Sequence, residues 1–130
     1  MSQPNQEIYC YPIAERVFDP SLSPYSSFLS YSRKWNDTSS YKTIPAPLCI
    51  QNRIQQFCID TFRKIQATGY VRFDLRMNES GDRICVIDVN ANASLGCEEG
   101  SSLRAMLDAG GIGYEDVLAR IILGSQRSKN

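Results

Sequence analysis

"VRFDLRMNESGDRICVIDVN", residues 71–90, decides the fold. Two runs rich in β-branched and large apolar residues flank a polar segment that contains Gly81, so the stretch predicts a β-hairpin. Period-two alternation puts Arg72, Asp74 and Arg76 on one face of the first strand, with Val71, Phe73 and Leu75 on the other. On the second strand Ile84, Val86, Asp88 and Asn90 share one face, and Cys85, Ile87 and Val89 share the opposite one. A turn centred on Gly81 then sets Arg76 opposite Val86, Asp74 opposite Asp88 and Arg72 opposite Asn90. A turn of different length would make the acid contact diagonal.

Two carboxylates directly opposed across a strand pair repel one another. A magnesium or manganese ion relieves that repulsion, because such cations take carboxylate and amide oxygens and keep further positions for water and phosphate. Asp74, Asp88 and Asn90 supply oxygens of this kind, and Arg72 beside them suits a phosphate. The crowding also predicts a weakened metal-free fold, which Asp74→Asn would strengthen while abolishing any metal response. The alternative is a solvent-exposed face with the acids paired to Arg72 and Arg76, for which the same substitution would be neutral or destabilising.

Outward from the hairpin, Ile50, Ile54, Phe57, Cys58, Phe62 and Ile65 recur at three- and four-residue steps, the stripe of an amphipathic helix. Pro47 fits its first turn and Gly69 its stop. After the hairpin come "SSLRAMLDAGG", a short helix, and "YEDVLARIIL", where Tyr114, Val117, Leu118, Ile121 and Ile122 form another stripe. Helix, hairpin, helix, helix predicts an α+β fold, a small antiparallel sheet packed on helices with one face left for a ligand. Residues 47–124 form this core, 125–130 a polar tail, and 1–46 a strand and loop region leading into it. In that region only "EIYCYPI" and "AERVF" have strand composition, and "SLSPYSSFLSYSRKWNDTSSY" suits a packed surface loop.

The chain has 130 residues, enough for one domain with a modest core or a piece of something larger. Fourteen basic side chains balance fourteen acidic ones, and no basic run is interleaved with aromatics, which argues against a nucleic-acid partner. A polar start and the absence of long apolar runs give no sign of a signal peptide or a membrane span, so a cytoplasmic protein is expected. Cys10, Cys49, Cys58, Cys85 and Cys97 are odd in number and without a CxxC pair, as reduced and mostly packed thiols would be. With no histidine in the chain, Ser-His-Asp and Cys-His nucleophiles are excluded, and any metal should be a hard cation held by oxygen.

"VRFDLRMNESGDRICVIDVNANASL" resembles the metal-binding end of the ATP-grasp ligases, especially the D-alanine–D-alanine ligase group and its unassigned relatives, in which an Arg-x-Asp strand precedes an acid-x-Asn strand. "YKTIPAPL" is similar to the segment entering the preceding helix, "FLSYSRKW" to a loop with a phosphate-contacting lysine, and "DAGGIGYEDVLARIIL" to the closing helices, so the resemblance spans roughly residues 12–124. It implies the C-terminal lobe of an ATP- and Mg²⁺-dependent (or Mn²⁺-dependent) ligase that joins a small carboxylate to an amine. Asp74, Asp88 and Asn90 would hold one or two metal ions, and Arg72, Asp74 and Asp88 would face the nucleotide phosphates. Arg72 would also act catalytically, on the acyl phosphate and the later tetrahedral centre. Lys34 would reach a phosphate, or is an ordinary surface lysine. Ser101 and Ser102 would contact substrate, or cap the next helix.

Two departures qualify the resemblance. The group usually has glutamate where this chain has Asp88, and its Pro-Gly loop is replaced by "ANASLGCEEGSS", so the amine is not inferable as D-alanine. The glycine-rich lid and first-lobe lysines that enclose the nucleotide have no counterpart in these residues. The chain is therefore expected to be one part of a ligase, inactive alone and completed by the missing lobe. The alternative is a free-standing remnant that binds metal or nucleotide, or serves as an interaction module that associates with itself.

Overall fold

The computed structural model describes residues 7–23, 27 and 41–127. Strand β1 (Ala14–Phe18) pairs antiparallel with β2 (Tyr41–Pro45), Ala14 facing Pro45 and Phe18 facing Tyr41. Helix α1 (Leu48–Lys64) leads to the hairpin of β3 (Arg72–Met77) and β4 (Ile84–Asn90), and α2 (Ser102–Gly110) and α3 (Tyr114–Arg127) follow. The architecture is α+β, with two separate two-stranded antiparallel sheets among the described residues. The β1–β2 pair lies against α2. The expected surface loop between β1 and β2 falls largely outside the described residues.

Helix α1 begins at Leu48; Pro47, expected in the first turn, has φ −55° and ψ 136° and sits just outside it at the cap position, and Arg63 and Lys64 in the last turn complement the carbonyl end. The helix stops before Gly69: Ile65 caps it and Gln66 takes the left-handed conformation at φ 55°, leaving Gly69, φ 72°, to a later bend. Ile54 and Cys58 are buried as the stripe predicts, whereas Ile65 lies past the last turn and is exposed. The third buried position is Gln51, which the apolar pattern does not reveal. Its amide nitrogen donates to the Ala46 carbonyl at 2.9 Å and its oxygen accepts from the Ile13 amide at 3.3 Å, so a polar core residue is satisfied on both sides.

Residues 7–13, expected as a strand, are irregular. Pro12 has no ladder donor, and the carbonyls of Cys10 and Tyr11 are taken by the Gln55 amide at 3.2 Å each instead of by a neighbouring strand. "YKTIP", read only as the entry to a helix, is the partner strand β2. No helix among the described residues is long and apolar enough to cross a membrane.

The N-terminal segment also reaches α3. The Tyr11 hydroxyl donates to Asp116 at 2.9 Å, Arg120 pairs with the same carboxylate at 2.9 Å, and the Arg120 guanidinium stacks 3.8 Å over the Tyr9 ring. Burial, and then the bond to Asp116, push the Tyr11 phenol above its usual range, while Arg120 and Tyr11 hold the Asp116 carboxyl below its own. A raised tyrosine contributes stability that is present below the unfolded value, near pH 10, and lost as pH climbs through the folded one. A depressed aspartate contributes stability present above the unfolded value, about pH 4, and lost as pH falls below it. Tyr11→Phe should therefore flatten the alkaline limb of melting temperature against pH, and Asp116→Asn the acid limb. Parallel curves for wild type and both variants would show that the cluster does not couple to folding.

Candidate functional site

The hairpin register brings the two acids together. Arg72 faces Asn90, Phe73 faces Val89 and Asp74 faces Asp88, after which Ile87 has no partner and the register resumes with Leu75 facing Val86 and Arg76 facing Cys85. This β-bulge corrects the expected pairing of Arg76 with Val86. Strict alternation would have put Val86 among the acids and Cys85 on the apolar side. The extra residue flips the phase, so Val86 and Ile84 turn inward while Cys85 is exposed beside Arg76 and the unpaired Ile87 is 62% exposed. The polar face thus carries Arg72, Asp74 and Arg76 from β3, and Asn90, Asp88 and Cys85 from β4.

Within that face the side chains are unequally engaged. Arg72 grips Asp74 with both arms of its guanidinium, Nε to Oδ1 at 2.9 Å and Nη2 to Oδ2 at 3.1 Å, and each side chain is about one-third exposed at 31% and 32%. Asp88 is exposed and has no hydrogen-bond or salt-bridge partner among the described residues. Among the described residues Arg76 pairs with no acid; it donates to the Ser27 carbonyl at 2.8 Å. The Asn90 side-chain oxygen accepts from the Asn92 amide at 2.9 Å, which turns the chain sharply out of β4. Among the described residues no three His, Cys, Asp or Glu side chains gather as a metal cluster, so a cation here would rest on two carboxylates and an amide.

Two tyrosines fix the loop after β4: Tyr70, which the sequence reading did not single out, and Tyr114, read there only as part of an apolar stripe. Tyr70 donates to the Ala93 carbonyl at 3.0 Å and Tyr114 to that of Leu95 at 2.7 Å. Ala93 is buried by this anchoring. At the far end of the loop Ser101 is the N-cap of α2, its oxygen accepting from the Arg104 amide at 3.2 Å. Ser102 is left for another partner, and its hydroxyl oxygen accepts from Arg16 Nη2 at 3.0 Å. Arg16 also went unnoticed in the sequence, since it is one polar residue in a strand of ordinary composition. Its Nε–H is buried without an acceptor. Lys34 lies outside the described residues.

Residues 6–123 match the family described as "D-ala D-ala ligase C-terminus". Among curated proteins, the D-alanine–D-alanine ligase of Corynebacterium urealyticum is 31% identical over 102 residues, 77% of this chain and 27% of that protein. The enzyme of Shouchella clausii is 29% identical over 104 residues, covering 78% and 27% of the two chains. One from Prochlorococcus marinus is 30% identical over 123 residues, covering 90% and 35%. The chain thus spans between a quarter and about a third of the relatives' length. No solved structure gives a significant match.

Proposed function

Since this chain belongs to the D-ala D-ala ligase C-terminal family, we propose that it forms the metal- and phosphate-facing part of an ATP- and magnesium-dependent carboxylate–amine ligase. The observation that carries this is the pairing of Asp74 with Asp88, with Arg72 and Asn90 as the adjoining pair on one face of the hairpin. Asp74, Asp88 and Asn90 would hold Mg²⁺ or Mn²⁺. Their donor set fits a hard cation, because the fork from Arg72 occupies only one lone pair on each Asp74 oxygen and Asp88 is uncommitted. Metal bound there would neutralise charge on the ATP phosphates.

Arg72, held by Asp74, is a fixed cation beside the acids. It is suited to an acyl phosphate and to the oxyanion that develops when the amine attacks. Lys34 would add a second cation to the phosphates. Of the two serines, Ser101 has its oxygen committed to the helix cap, so Ser102, which accepts from Arg16 and keeps its own proton to donate, is the better substrate contact. The amine is left open, because Asp88 and the loop after Asn90 depart from the family's usual residues.

The relatives are about three times as long, and turnover would need the complementary lobes, which close a nucleotide site against water. Such a ligase would work in the cytoplasm, where ATP is available. One observation favours a second reading, a non-catalytic nucleotide-binding or interaction module: in this structure Asp74 is already neutralised by Arg72.

Calorimetry distinguishes the two. The chain alone should bind ATP weakly, with Kd on the order of millimolar, and only with Mg²⁺ present. It should release no phosphate in response to amino acids. ATP binding indifferent to Mg²⁺, or none at all, would leave the second reading standing.

A further inference from the structure

We propose that Cys10 and Cys58 are a modification site, forming a reversible intramolecular disulfide when the protein meets a low-molecular-weight disulfide such as oxidised glutathione. The backbone sets the pair up. Residues 10–13 run along α1, with the Ile13 amide on Gln51 Oε1 at 3.3 Å and the carbonyls of Cys10 and Tyr11 on the Gln55 amide at 3.2 Å. Cys58 follows Gln55 by three positions, so it lies on the same face of the helix at the point the segment has reached. Cys10 is half-buried and Cys58 is 8% exposed, whereas Cys49 and Cys85 lie open on the surface and Cys97 is half-buried. The expectation of mostly packed thiols therefore fails for Cys49 and Cys85.

The two thiols are not equivalent. Contact with Cys58 holds the Cys10 thiol below its usual range against the effect of burial, while contact with Cys10, reinforced by burial, raises that of Cys58. Cys10, the less buried of the two, is the thiol that meets the oxidant, and Cys58, 8% exposed, is the thiol that resolves. In the first step Cys10 loses its proton to solvent and its sulfur attacks one sulfur of oxidised glutathione, breaking its S–S bond and expelling one glutathione thiolate. Once Cys10 is in the mixed disulfide it carries no charge, so the opposition to ionising Cys58 is relieved. Cys58 then loses its proton to solvent, attacks the Cys10 sulfur and expels the second glutathione. Two thiols give up two electrons and two protons, and one oxidised glutathione becomes two reduced ones. The product ties the segment entering β1, which carries Arg16, to the middle of α1.

The test uses wild type and a variant with Cys49→Ser, Cys85→Ser and Cys97→Ser. Each is treated with oxidised glutathione under native conditions, capped with an alkylating reagent and weighed. The variant should lose two hydrogens and take no alkyl group. Digestion should yield a Cys10–Cys58 linked peptide that dithiothreitol removes, and the oxidised protein should melt several degrees higher than the reduced one. Adding Cys10→Ser, a change at a half-buried position outside the regular elements, should leave Cys58 fully alkylated after unfolding. Two alkylated thiols in the treated variant, or a stable glutathione adduct on Cys10 beside a free Cys58, would overturn the proposal.

Discussion

Leu107→Ala should lower the stability of this chain by about 2–5 kcal/mol, a fall in melting temperature on the order of 10–20 °C. Leu107 is 2% exposed, the most buried side chain among the described residues, and it sits on α2, the helix that lies against β1 and β2. Few other described positions share the load: the buried apolar set among the described residues is Ala46, Ile54, Cys58, Ala93, Leu107 and Val117. Most of these are small, so a leucine-sized cavity removes an unusual share of the packing. Leu118→Ala provides the contrast, because that side chain is 38% exposed and its loss should cost less than about 1 kcal/mol. Thermal melts of both variants check the pair, and equal losses would mean that α2 is not the centre of the core. Leu107 also couples core to site, since the same helix begins with Ser101 and Ser102.

The hairpin was legible because its period of two is a strong signal and Gly81, at φ 75°, does take the turn. Counting from a turn centred on Gly81 sets Asp74 opposite Asp88, but the strands leave the turn one residue off that register, with Met77 facing Ile84, and it is the bulge that restores the acid pair. The bulge at Ile87 was not legible, since an inserted residue leaves the apolar pattern of "ICVIDV" looking continuous. Its effect on the site is nonetheless large: it turns Ile84 and Val86 inward and keeps Asp88 opposite Asp74. β2 was missed for a different reason, because "YKTIP" ends in proline and finds its partner across a long intervening stretch that carries no strand pattern. Gln51, Gln55 and Tyr70 escaped as well, and so did the hydroxyl contact of Tyr114, which was read only as part of a stripe. Each acts through a polar tip that bonds a backbone carbonyl or amide, and periodicity records only where apolar bodies fall.

The second large effect is expected at the acid pair, where Asp74→Asn and Asp88→Asn should each reduce Mg²⁺-dependent ATP affinity tenfold or more, by removing one of two carboxylates from a sparse donor set. The two variants should part company without metal. Repulsion alone predicts that Asp74→Asn strengthens the metal-free fold, but the fork from Arg72 reverses that expectation, because the substitution strips a partly buried guanidinium of its partner. The pair is partly exposed and screened, so the loss should be no more than about 1 kcal/mol, a drop of roughly 4 °C. Asp88 has no such partner and gains nothing from its charge in the metal-free state, so Asp88→Asn should leave the melting temperature unchanged or raise it slightly. Melting and calorimetry on the two variants, with and without Mg²⁺, then read folding and binding separately. Loss of the Mg²⁺ response in both, with a lowered melting temperature only in Asp74→Asn, identifies a shared ligand pair in which Asp74 also anchors Arg72. A Mg²⁺ response that survives Asp88→Asn intact would place the cation elsewhere and leave Asp74 as the structural partner of Arg72.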